Sequence, residues 1–214
     1  MLEQGVSPEY KEKYIGLTTL DCAKLVVAQN PHIHTLSFRA YFYIPNTESG
    51  DSEEAFRIPK DSFLQGDALN HRAQDLPERW NIAICSPVGL TDGSMRHLEL
   101  LDLALSKSDE NLQRTAQRLR QIIVPRFGGG FILETRKSYH FFGRRLLTPD
   151  QWLDFLGASL LTSIVTVTPD EDPNIHERVA DYRYIGYSLL RRYTGLRITT
   201  NGDKTFVPRV VDVI

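Results

Sequence analysis

Apolar positions along the chain recur at two periods, and the two periods separate strands from helices. Thr35–Ile44 (TLSFRAYFYI) is rich in aromatic and β-branched residues and alternates well enough to predict a strand. Trp80–Ser86 predicts a second, and Leu98–Leu105 a buried third, apolar but for Asp102. Phe131–Phe142, Ser163–Thr168, Leu196–Thr199 and Phe206–Val213 read as further strands. Thr19–Gln29 reads as a short helix with Asp21 as its candidate N-cap, and residues 61–70 hold another. The clearest helix follows Ser108. Leu112, Ala116, Leu119 and Ile123 repeat at three- and four-residue spacing, Arg114, Arg118 and Gln121 take the other face, and Pro125 closes it. Asn111, not Glu, stands three residues after Ser108, so the capping box is imperfect. Thr148-Pro149 starts a helix through about Leu161, and a last one runs from about Arg183 to Arg192.

Strands in runs, with helices between them, predict an α+β fold. Its central sheet is largely antiparallel or mixed, with packed helices. No linker rich in Pro, Gly or Ser divides the chain, so residues 1–214 are expected to form one domain, with 1–14 as a loose N-terminal lead-in. Pro45–Glu54 is a polar loop, Pro87–Ser94 and Gly128–Gly130 are turns, and Pro169–Asn174 is an acidic turn.

A composition of 41% hydrophobic and 24% charged residues excludes disordered and fibrous classes. At 214 residues the chain is long enough to bury a core without disulfide or metal staples. Its net charge of −2 conceals a split: residues 1–110 carry 10 basic and 17 acidic side chains, and residues 111–214 carry 15 and 10. The near-neutral total argues against coating nucleic acid by bulk charge, while the basic second half leaves room for a local site. Cys22 and Cys85 make no framework and fit a reducing compartment. The polar N-terminus is no signal peptide and no apolar run approaches a membrane span, so a cytoplasmic protein without a membrane partner is expected.

Three segments carry chemistry. In Phe127–Arg145 (FGGGFILETRKSYHFFGRR), a single strand would place Glu134, Arg136, Ser138 and His140 on one face. Between Asn111 and Leu147 there are eight Lys or Arg and one acid, Glu134. Such a face suits phosphate oxygens, which prefer charge-assisted donors, although a solvated edge beside a basic helix gives the same pattern. Asp102 sits in an apolar strand, where a carboxylate needs a metal, a base or hydrogen bonds to be tolerated. Asp181 follows two apolar residues and precedes an Arg-rich helix, a position that helix capping also explains. His32 and His34 could join Cys22 or Cys85 at a metal, but a plain polar strand end explains them better. Ser94, His97 and Asp102 match a hydrolase triad in composition only, without a nucleophile elbow. Tyr182, Tyr184, Tyr187 and Tyr193 either stack bases or pack a helix onto a sheet.

Taken in order, Asp102, the helix 109–123, Ser138-Tyr139-His140, the helix 149–161 and Asp181 resemble the core of the archaeo-eukaryotic primase–polymerase superfamily, over roughly residues 80–200. The resemblance implies a nucleotidyltransferase acting on nucleoside triphosphates and a single-stranded or primed nucleic-acid template, in replication or repair. It implies that Asp102 and Asp181 hold Mg²⁺ or Mn²⁺ and that His140 joins them in catalysis. It further implies that Ser138 and His140 grip the triphosphate, with help from Arg136, Lys137 or Arg197. The superfamily's first motif is Asp-X-Asp, whereas this chain reads Asp102-Leu103-Ala104, so the first motif is incomplete. That departure leaves two alternatives: a degenerate relative that binds nucleotide or nucleic acid without polymerising, or a structural and interaction protein.

Overall fold

The computed structural model describes residues 7–42, 53–162, 164–165, 176–200 and 206–214. The expected loose lead-in is ordered over its described part. Ser7 caps a short helix, α1 (Pro8–Glu12), and Tyr14 is buried with its ring 5.4 Å from that of Phe131. The N-cap of α2 (Thr19–Gln29) is Thr18 and not Asp21, which stands at the third helical position and closes a reciprocal capping box with it. The strand β1 (Ile33–Phe42) pairs with β2 (Glu53–Pro59), which the polar composition of its first residues concealed. The helix expected in 61–70 is two helices, α3 (Lys60–Gln65) and α4 (Asp67–Gln74). They are broken at Gly66, whose φ of +92° favours glycine.

The long strands β3 (Trp80–Leu90) and β4 (Met95–Leu103) extend beyond their expected limits, because Pro87 is accommodated within β3. Ser108 caps α5 (Asp109–Ile122), and one more turn, α6 (Val124–Phe127), leads to the glycines. The single strand expected over Phe131–Phe142 is a hairpin of β5 (Gly130–Glu134) and β6 (Tyr139–Leu147). Then come α7 (Pro149–Leu160), the two-residue strands β7 (Ile164–Val165) and β8 (His176–Glu177), α8 (Tyr182–Arg191), β9 (Gly195–Arg197) and β10 (Arg209–Val213). The acidic turn expected at Pro169–Asn174 lies outside the described residues.

Eight strands form one sheet in the order β10-β5-β6-β4-β3-β1-β2, with β9 also on β3, and every pairing is antiparallel. The fold is therefore α+β, as expected. Alternation along each strand feeds a different apolar cluster on each face. Leu98, Leu100 and Phe142 join Val26, Phe38 and Phe63 on the side of α2 and α3. Leu101, Leu103 and Phe141 join Leu119, Phe155 and Ile185 on the side of α5, α7 and α8.

Two irregularities shape the middle of the sheet. Leu98 pairs with Leu146 but Leu100 with Phe142, so Gly143–Arg145 bulge opposite Glu99 alone. Glu99 is fully buried, and a Cβ on Gly143 would fall 1.8 Å from its Oε2. Glycine is required there by this close approach and not by its dihedral angles. The second irregularity is a divergence: β3 and β4 pair only at Pro87–Gly89 with Met95–His97. Farther along, β9 lies on β3 and the backbone of residues 179–181 lies on β4.

Candidate functional site

That divergence brings the sequence-predicted carboxylates together. Leu103 bridges to Ala180, the Ala104 N–H donates to the Val179 carbonyl at 2.8 Å, and the Asp181 N–H donates to the Asp102 carbonyl at 3.1 Å. Asp102 and Asp181 are thus backbone neighbours, although 79 positions separate them in the sequence. On the other edge of β4, Asp102 stands directly opposite His140 of β6. His140 Nε2 lies 3.6 Å from Asp102 Oδ1, an ion-pair distance when the imidazole is protonated and too long for a hydrogen bond. His140 is buried and Asp102 half-buried, so the pair sits at the rim of the sheet and not within either core.

Asp181 also performs the capping role open to it from sequence. Its Oδ1 accepts the N–H groups of Arg183 (2.8 Å) and Tyr184 (3.3 Å) at the start of α8. Tyr184 fixes this helix to the sheet. Its hydroxyl donates to the Gly195 carbonyl (3.1 Å) and accepts the Gly195 N–H (3.0 Å), and burial pushes its pKa well up. The nearby Asp102 charge acts in the same direction. Tyr184 is a positioning residue that sequence reasoning left among four tyrosines. Of the other three, Tyr182 is exposed beneath Arg178, and Arg39 lies over Tyr193. The fourth, Tyr187, lies beneath Arg191.

Ser138 and its neighbours stand differently from expectation. Thr135-Arg136-Lys137-Ser138 is the tip of the β5–β6 hairpin, so Arg136 and Ser138 do not line a strand face with Glu134. Thr135 ties the tip: its Oγ1 donates to the Ser138 carbonyl (3.0 Å) and accepts the Ser138 N–H (3.0 Å). The signal missed was the polar TRKS run between two apolar runs, a turn signature. Several contacts dock the tip on the β4–α5 connection, among them the Lys107 N–H donating to the Lys137 carbonyl at 2.9 Å. Lys107 pairs with Glu134 at 2.6 Å, and the Tyr139 hydroxyl donates to the Ser108 carbonyl at 2.8 Å. Arg136 and Lys137 remain exposed, and neither forms an ion pair among the described residues. Arg197 lies on β9 opposite Ala83, donating to the Thr199 carbonyl at 3.0 Å.

The other candidates disperse. His97 Nδ1 lies 3.0 Å from the buried Ser86 Oγ, not from Ser94. Cys22 is buried in the core while His34 is exposed. Among the described residues no group of three His, Cys, Asp or Glu side chains is arranged to hold a metal ion.

A family model described as AEP-like, archaeo-eukaryotic primase 1D-like, matches residues 60–208. The chain belongs to this family. The match spans Asp102, His140 and Asp181 and begins upstream of the expected 80–200 core, at α3. No curated protein and no solved structure matches significantly. For an AEP-like domain the donor set at the rim is sparse. Of the three groups at the rim, only the carboxylate oxygens of Asp102 and Asp181 are donors of the kind a hard cation such as Mg²⁺ takes, and the His140 imidazole is not. No helix among the described residues is long and apolar enough to cross a membrane.

Proposed function

We propose that this AEP-like domain is a primase-type nucleotidyltransferase that joins nucleoside triphosphates on a single-stranded or primed nucleic-acid template. The observation that carries the reading is the convergence of Asp102, His140 and Asp181 on one strand end, next to a hairpin tip bearing Arg136, Lys137 and Ser138. Asp102 and Asp181 would hold Mg²⁺ or Mn²⁺ jointly with the triphosphate. When bound, the metal lowers the pKa of an attacking 3′-hydroxyl and neutralises charge on the phosphates. His140 and Ser138 grip phosphate oxygens, and Arg136 and Lys137 draw the triphosphate to the tip by charge-assisted contacts. Arg197 is assigned to the nucleotide from the β9 side.

A second reading has its own support. Ala104 occupies the position of the missing carboxylate, and Asp181 spends one oxygen on the α8 cap, so a domain that binds nucleotide without polymerising it fits the same geometry. One assay separates the two. Primer synthesis and extension with Mn²⁺ and nucleoside triphosphates should give product that the His140→Ala variant does not give. No product beyond that control defeats the first reading. Product that appears only with Ala104→Asp establishes the second and identifies the missing carboxylate as the limiting group.

A further inference from the structure

The bulge in β6 aims Arg145 away from the site at the rim of β4. At Gly143–Arg145 the extra residues seat the Arg145 N–H on Glu99 Oε2 at 3.3 Å, and a bulge of this kind redirects the side chain it carries. Leu146 then packs on the α2 side of the sheet and Leu147 on the α7 side. The Arg145 side chain lies over the turn that ends α6. A Cβ on Gly128 would fall 2.7 Å from Arg145 Nε, and Gly128 has a φ of +97°. Glycine at that turn therefore makes room for the guanidinium.

A cleft of about 780 Å³ is lined by Arg126 and Arg145 together with Gln151, Asp154, Ala158 and Leu161, whose three- and four-residue spacing puts them on one face of α7 and its C-cap. That volume suits a small ligand. Among the described residues neither arginine forms an ion pair, so Asp154 pairs with neither although it shares the cleft. Guanidiniums and a carboxylate that share a cleft without closing on each other are left to bind different ends of one ligand. Gln151 adds a donor. Its Oε1 accepts the Thr148 N–H at 2.9 Å in the capping box of α7, so its NH₂ remains for a ligand.

We propose that this cleft binds a guanine mononucleotide, with its phosphate on Arg126 and Arg145 and its base edge on Gln151 and Asp154. Guanidiniums match phosphate oxygens in forked pairs. Gln151 and Asp154 stand three residues apart on a helix, so their Cβ atoms are about 5–6 Å apart and can share one base edge. They offer a donor followed by a carboxylate that accepts two hydrogen bonds. Guanine alone of the common bases presents the complement in full, the acceptor O6 followed by the donors N1–H and N2–H₂. Its ring then covers Ala158 and Leu161, of which Leu161 is otherwise 60% exposed. This nucleotide is not one that reacts. By alternation His140 shares the α2 side of the sheet with Phe142, whereas the cleft lies beside α7, so the sheet separates the two sites.

The test is equilibrium dialysis of the whole chain against GMP in EDTA, so that neither metal nor nucleotidyl transfer enters and the outcome is independent of primase activity. One GMP per chain should bind with saturation below about 1 mM, and AMP should bind at least about tenfold more weakly. Arg126, Arg145, Gln151 and Asp154 are all exposed, so substituting them spares the core. Arg126→Gln with Arg145→Gln should weaken GMP binding at least about tenfold. Asp154→Asn should split the ligands. GMP should weaken at least about tenfold, while ribose 5-phosphate, which has no base, should bind as well or better once the like charge is gone. His140→Ala should leave GMP binding unchanged. No saturation by about 1 mM overturns the inference. So does equal affinity for GMP and ribose 5-phosphate with both tightened by Asp154→Asn, the mark of a basic patch without base recognition. Loss of GMP binding in His140→Ala, with none in the arginine pair, also overturns it and puts the nucleotide at the rim of β4.

Discussion

At the scale of single residues, the middle of β4 holds two buried titratable groups that no surface contact relieves. Burial raises Glu99 from an ordinary 4.5 to about 8, its only hydrogen bond among the described residues being the Arg145 N–H to Oε2 at 3.3 Å. Burial lowers His97 from 6.5 to about 4. Ser86 Oγ accepts the Thr194 N–H at 3.1 Å and lies 3.0 Å from His97 Nδ1, and the lowered pKa keeps the imidazole neutral near pH 7. The two groups act in opposite directions. Between pH 4 and 6.5 the unfolded chain takes up the proton that folded His97 refuses, so stability rises with pH. Between 4.5 and 8 the unfolded chain releases the proton that folded Glu99 retains, so stability falls with pH. The effects offset up to pH 6.5, and above it only Glu99 acts. Stability should therefore drop by roughly 2 kcal/mol between pH 6.5 and 8, at about 1.36 kcal/mol per unit. Urea midpoints across this range measure it. Glu99→Gln should flatten the decline, and an equal decline in that variant would show that Glu99 is not its source.

At the scale of elements, the hold of α8 on the sheet determines where Asp181 stands relative to Asp102. Tyr184→Phe removes both hydrogen bonds to Gly195 and should cost about 1–3 kcal/mol. The loss is local, so amide exchange in Ile185–Leu189 should quicken about tenfold or more while the β5–β6 amides stay protected. Equal quickening in both places would mean that Tyr184 supports the whole fold and not this joint. The joint also marks how far the sequence could be read. The helices at 109–123 and 149–161 were legible because Ser108 and Thr148-Pro149 cap apolar periods, and the helix at 19–29 because Asp21 marks its first turn, although its N-cap is Thr18. Asp102 was legible as a carboxylate in an apolar strand, and Asp181 as an N-cap. The β5–β6 hairpin was legible through its turn, the all-polar Thr135–Ser138 run between two apolar runs, which the single-strand reading passed over. What local pattern does not give is register, the pairing of one strand's residues with another's. For the same reason the bulge at Gly143 and the approach of residues 179–181 to β4 leave no mark on local pattern. Both depend on which strand comes to lie beside which.

At the scale of the whole molecule, the two charge halves meet at the rim of β4. Asp102 comes from residues 1–110, which are net −7, and the hairpin tip from residues 111–214, which are net +5. The halves share one sheet: β10, β5 and β6 of the basic half adjoin β4, β3, β1 and β2 of the acidic half at the β6–β4 pairing, and β9 alone crosses over to β3. The charge split therefore creates a boundary in potential across a continuous structure. On the proposed reading, a polyanion would be drawn to the exposed Arg136 and Lys137 on the basic side of this boundary. If the tip supplies phosphate contacts as proposed, affinity for a single-stranded oligonucleotide should fall steeply with salt. Each neutralised phosphate adds about −0.7 to the slope of log K against log salt. Arg136→Ala with Lys137→Ala should reduce that slope by about 1.4 and weaken binding uniformly across sequences. The paired lysine offers an internal control. Lys107 is already neutralised by Glu134 at 2.6 Å, so Lys107→Ala should change the slope by much less than either tip substitution. A slope that is unchanged in the tip variant, or equally reduced by Lys107→Ala, would remove the hairpin from the path of the nucleic acid.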